Sequence, residues 1–138
     1  MKFMIIVKAN ADTEAGVMPT TEEFAEMGAF NEQLVKAGVM LAGEGLHPTS
    51  NGARVYYENG KARAEDGPFE LTGDTIAGFW LLQVKSREEA VEWLKRAPFR
   101  SGHVEIRQVF EAEDFGESFT PELREQEDRL RAETASRH

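Results

Sequence analysis

The apolar positions of this chain change their period several times, and each change marks an element. Residues 2–8 (Lys-Phe-Met-Ile-Ile-Val-Lys) form a short run of β-formers with the length of a buried strand. The polar stretch 9–19, with Gly16 and Pro19, predicts a loop. From Thr20 the period lengthens: Phe24, Met27, Phe30, Leu34 and Val35 recur at helical spacing. Thr20-x-x-Glu23 is a capping box that opens this helix, and Gly38 stands where a left-handed residue closes it. Residues 39–46 predict a second strand whose two glycines point to a bulge or a close backbone approach. Residues 53–57 and 61–64 flank Asn59-Gly60, a pair suited to a type I′ turn because both positions take positive φ. A small hairpin is expected there.

Residues 75–84 predict a strongly apolar strand through Phe79, Trp80, Leu81 and Leu82. Ser86-x-x-Glu89 reads as a second capping box, opening a short helix through Ala90, Val91, Trp93 and Leu94 that stops before Pro98. Residues 104–110 alternate apolar and polar, as in a strand with one solvated or partner-facing side. Thr120-Pro121 gives an N-cap with proline at the first helical position, and Leu123 and Leu130 are the large apolar anchors of the segment that follows. The order is β-α-β, a hairpin, β-α-β and a charged terminal helix. Two such halves describe an α+β, ferredoxin-like domain: an antiparallel sheet with both helices on one face. The expected boundaries are 1–112 for this domain and 113–138 for a charged C-terminal extension, helical from about residue 121. The other sheet face would expose roughly several hundred Å² of apolar surface, so a homodimer that stacks or joins sheets is expected.

Composition narrows the classes. The 138 residues suit one domain, and no apolar run approaches the length of a membrane span. The five-residue apolar run near the start is too short for a secretory signal. Without cysteine there is no thiolate nucleophile, disulfide or Cys-ligated metal, which fits a cytoplasmic setting. A net charge of −9 repels phosphate backbones, so neither nucleic acid nor membrane is an expected partner. Nine of the 25 acidic residues follow Phe110, and this acidic tail offers a docking segment for a basic protein partner. No nucleotide-binding glycine loop, metal-ligand spacing or serine elbow is present, so no cofactor and no metal are expected.

The chemistry-bearing candidates are few. His47, between a Gly-Glu-Gly bend and Pro48, sits where a strand end can face a cleft, and imidazole is the natural general base near neutrality. A half-exposed loop histidine is the plain alternative, and His103 and His138 have still less context. Asp66 opens Asp66-Gly67-Pro68-Phe69, which turn chemistry also explains: aspartate bonds the backbone ahead, glycine permits positive φ and proline sets the exit. Phe69 would then plug the core or a dimer seam. Glu44, on an otherwise apolar strand, requires a partner if buried, and Arg107 is the candidate, for a functional or a structural pair. Trp80 belongs to the core, an interface or a ligand pocket. Together these give His47 and Asp66 as catalytic candidates and Glu44, Trp80 and Arg107 as substrate-binding candidates.

Three segments carry a resemblance: residues 38–48 (Gly-Val-Met-Leu-Ala-Gly-Glu-Gly-Leu-His-Pro), Asp66-Gly67-Pro68-Phe69, and Ala77-Gly78-Phe79-Trp80-Leu81. With Glu105-Ile106-Arg107-Gln108-Val109 at the end, residues 1–111 resemble the DGPF branch of the YCII-related proteins. The resemblance implies a dimeric α/β-barrel arrangement with a cleft beside the sheet, and in some members an association with alternative sigma factors. It also implies lyase- or isomerase-type proton transfer by a histidine–aspartate pair. Here Met27 and Ala97 occupy the matching positions, so any acid–base chemistry falls to other groups such as His47 and Asp66.

Overall fold

A computed structural model describes all residues, 1–138. Residues 1–108 form one compact unit and residues 109–138 a second. In the first unit six strands and three helices run β1 (Lys2–Lys8), α1 (Ala11–Glu14), α2 (Thr21–Lys36), β2 (Met40–Gly45), β3 (Ala53–Glu58), β4 (Lys61–Asp66), β5 (Ile76–Gln83), α3 (Arg87–Leu94) and β6 (Val104–Gln108). The main sheet has the order β2-β5-β1-β6, with every neighbouring pair antiparallel. This is the α+β, ferredoxin-like arrangement: β1-α2-β2 and β5-α3-β6 interleave, each half leaving a gap that a strand of the other fills.

Strand register divides the sheet into two faces, because directly paired residues point the same way. Ile5 pairs with Trp80 and with Ile106, and Phe3 with Leu82. These side chains meet Phe30 and Leu34 of α2 and Ala90 of α3 in a single core, where Ile5, Leu34 and Leu82 are wholly buried. Apolar burial of this kind contributes about 25 cal/mol per Å2 removed from water. The opposite face carries Met4, Ile6, Phe79 and Leu81, all half-buried.

The helix ends follow the sequence. Thr20 accepts from the Glu23 N–H, and Glu23 returns the bond to the Thr20 N–H, a complete capping box. The Thr20 backbone bond, ahead of the hydroxyl, holds the Glu23 carboxyl below the usual carboxylate range. Gly38 takes φ +72° and ends α2. The same helix departs from its expected apolar stripe: Phe24 and Val35 are 56% and 61% exposed, and Phe30 and Leu34 alone are buried. A helix lying on a four-stranded sheet buries a narrower arc than the five residues span. At α3, Ser86 caps Glu89 as expected, but the Glu89 carboxylate accepts from the Lys85 N–H, so the box is not reciprocal. Residues 9–19, expected as a loop, contain the one-turn helix α1, which Asn10 and Thr13 close with a capping box of their own. The hairpin β3–β4 turns at Asn59 (φ +50°) and Gly60 (φ +76°), as that dipeptide requires.

The second unit holds a stack of Phe110, Phe115 and Phe119, with successive centroids 5.0 and 5.2 Å apart, and α4 (Pro121–Arg137). Thr120 caps α4, which has no buried residue. No helix in the molecule is long and apolar enough to cross a membrane.

Candidate functional site

The site lies where β2 leaves the sheet and the chain turns into the hairpin. An open cleft of about 460 Å3 is lined by Leu46, His47, Asn51, Arg54, Phe69 and Asp74, with Thr72 and Thr75 beside them. Its walls come from two loops separated by the whole hairpin. The tie between them is Thr49. Its N–H and Oγ1 donate to the two carboxylate oxygens of Glu14, at 3.1 and 2.7 Å, and Oγ1 also accepts from the Phe69 N–H at 3.0 Å. One hydroxyl thus joins α1, the β2–β3 loop and the chain leaving β4. The Gly67 N–H donates to Gly52 O at 2.9 Å and closes the hairpin base.

These bonds draw two backbones together. A Cβ on Gly67 would stand 1.8 Å from the Thr49 carbonyl oxygen, so only glycine fits. Positive φ, the expected reason for this glycine, is not adopted there. The Gly67–Pro68 bond is cis. Beyond it, Phe69 is neither a core plug nor buried. It is half-buried in the cleft wall, with the Arg54 guanidinium 4.0 Å above its ring centroid. That stacking uses the face of the guanidinium and leaves its N–H edge free.

Exposed His47 is held by Asn51, whose Nδ2 lies 3.3 Å from Nδ1. An amide nitrogen only donates, so Nδ1 accepts, and in the neutral ring the proton sits on Nε2. In that tautomer Nε2 is a donor to any group that reaches it. The expected general base is, in this arrangement, set up to give a hydrogen bond.

The other expected site residues are not gathered here. Asp66 ends β4, exposed, opposite Ala53, and does not line the cleft. Glu44 is exposed on edge strand β2, and Arg107 lies on the opposite edge strand β6, bonded to Glu105 at 3.3 Å. The expected Glu44–Arg107 pair is therefore absent: β5 and β1 stand between the two, and Glu44, in solvent, needs no partner. Trp80 is 6% exposed on the helix-covered face, its Nε1 donating to Asn31 Oδ1 at 2.9 Å. Its ring packs edge-on to Phe30 at 5.7 Å and belongs to the core. His103 is exposed just before β6. Sequence reading missed Asn51, Arg54 and Asp74. Arg54 falls inside the expected hairpin strand 53–57, and Asn51 and Asp74 lie between the expected elements. No group of three histidine or acidic side chains in the molecule is placed to hold a metal ion.

The fold and this loop-built cleft define a class: a small α+β domain with a pocket beside an antiparallel sheet. Residues 1–113 match the YCII-related domain, and the chain belongs to that family. It is also 29% identical, over 85 residues, to an uncharacterised protein of Rhizobium meliloti (strain 1021), a match covering 59% of this chain and 68% of that protein.

Proposed function

We propose that this chain is a homodimeric, small-molecule-binding domain of the DGPF branch, acting in the cytoplasm, with the cleft around His47 as its ligand site. The observation that carries this reading is the convergence of an oriented imidazole, an unpaired guanidinium and an unpaired carboxylate in one cleft with apolar walls. Clefts of a few hundred Å3 with a few convergent polar groups are the usual form of small-ligand sites. Acid–base chemistry of the lyase or isomerase kind would use His47 with Asp74, in place of the His47–Asp66 pair read from the sequence. The homodimer is supported by the strip of Met4, Ile6, Phe79 and Leu81, which no helix of residues 1–108 covers. A second copy stacked on that strip would complete the barrel.

A thermal-shift screen of small organic acids, phenols and lactones tests the reading. A ligand at about 100 times its dissociation constant adds roughly 2.7 kcal/mol, several degrees of melting temperature for a domain of this size. The shift is expected in the wild type and lost in His47→Ala. A folded protein that no compound stabilises would count against it.

A second reading, a regulatory module that docks a protein such as a sigma factor, draws on α4. Its Leu123 and Leu130 are close to half exposed, and the helix buries nothing of its own. Co-purification with and without residues 113–138 separates the two, because a docking module loses its partner with that segment.

A further inference from the structure

We propose that the cleft takes a small monocarboxylic acid bearing a hydroxyl or amine, its carboxylate on Arg54 and the Nε2–H of His47 and its donor group on Asp74. This rests on the reading of the cleft as a ligand site and goes on to name the ligand's class.

Seven of the ten arginines hold a carboxylate, among them Arg63, Arg87, Arg100 and Arg107 at 3.1 to 3.9 Å. Arg54, Arg96 and Arg129 hold none, and of these three Arg54 alone lines the cleft. The Arg54 guanidinium has no ion pair and no hydrogen bond, and it stacks on the Phe69 ring. A stacked guanidinium with a free N–H edge matches a carboxylate in two-point geometry. His47 adds a donor, because Asn51 occupies Nδ1 and puts the ring proton on Nε2. Two donors of different chemistry thus line one cleft.

Asp74 sets the limits. Its backbone N–H is used by Thr72 Oγ1 at 3.2 Å, while its carboxylate has no partner and lines the same cleft. A second negative charge on the ligand would meet this carboxylate in a field that is already negative, which disfavours phosphates and dicarboxylates. A hydroxyl or amine on the ligand would instead satisfy it. Leu46, Pro48 and Phe69 supply the apolar wall for the remaining carbon body.

Calorimetric titration of acetate, lactate and mandelate, beside lactamide and mandelamide, tests the proposal on the wild type, Arg54→Gln, Arg54→Lys and Asp74→Asn. Arg54 is exposed, so its variants are expected to fold. Lactate or mandelate should bind, and the matching amide should bind at least about tenfold more weakly, as loss of a charge-assisted hydrogen bond implies. Arg54→Gln should lose the difference and Arg54→Lys should keep part of it. Asp74→Asn should narrow the preference for the hydroxy acids over acetate. Acid and amide binding equally, or Arg54→Gln binding as the wild type does, would overturn the proposed class while leaving the cleft a ligand site. No binding by any of the five compounds to any variant would overturn both.

Discussion

The helix-covered face of the sheet and the cleft at its end are separated by only a few residues of chain, yet different forces hold them. Phe3, Ile5, Leu34 and Leu82 meet by burial, which is non-directional and grows with apolar area. Around the cleft almost nothing large is buried, and position comes from directional bonds: Glu14 to Thr49, Thr49 to Phe69, Gly52 to Gly67, Asn51 to His47. The core should accept an apolar exchange of equal volume. The cleft wall should not accept a single methyl group at Gly67. If the cleft is the ligand site proposed, stability and ligand recognition fall to different residues, and substitutions can separate them.

The largest effect is expected in the core. Leu82→Ala removes wholly buried methyl groups and should cost about 2–5 kcal/mol in chemical denaturation, lowering stability without a specific effect on ligand preference. Gly67→Ala forces the Thr49 carbonyl aside and should cost about 1–3 kcal/mol. Unlike the core change, it should also abolish the ligand-induced thermal shift while the far-ultraviolet circular dichroism is kept. Glu14→Gln swaps one acceptor oxygen for a donor facing Thr49 and should cost about 1 kcal/mol, with weaker binding because the two cleft loops lose their common tie. If Glu14→Gln destabilises the protein but binds as the wild type does, the tie supports the fold and not the cleft.

The smallest effect concerns pH and lies outside both regions. The Glu23 carboxyl is lowered from 4.5, first by the Thr20 backbone N–H and then by its hydroxyl. A depressed folded-state value means that its contribution is complete above about pH 4.5 and fades as the pH falls through the lower folded value. Wild type and Glu23→Gln should therefore differ slightly in melting temperature at neutral pH and converge in strong acid. A gap that persists in acid would assign the difference to helix propensity alone.

Periodicity explains which region could be read from the sequence. Strand and helix faces repeat every two or 3.6 residues, so the strands, α2, the Asn59-Gly60 hairpin and the antiparallel ferredoxin-like order all follow from local pattern. The cleft has no period. Thr49 meets Glu14 across 35 residues and Phe69 across 20, and neither pairing leaves a mark on nearby sequence. Glu44 and Arg107 looked complementary because both sit on strands, but strand order put them on opposite edges. His47 could be found because a histidine at a strand end is rare and chemically conspicuous. Arg54 and Asp74 could not, since unpaired charge is visible only once every neighbour is placed.

The proposed function requires the cleft, and not the sheet face carrying Met4, Ile6, Phe79 and Leu81, to be where a ligand sits. Backbone amide chemical-shift mapping during a mandelate titration of the full chain measures this directly. The account predicts saturable shifts concentrated at residues 46–54 and 69–75, with β1 and the centre of β5 unmoved. Shifts centred on Met4, Ile6, Phe79 and Leu81 would contradict it and would make that sheet face the binding surface.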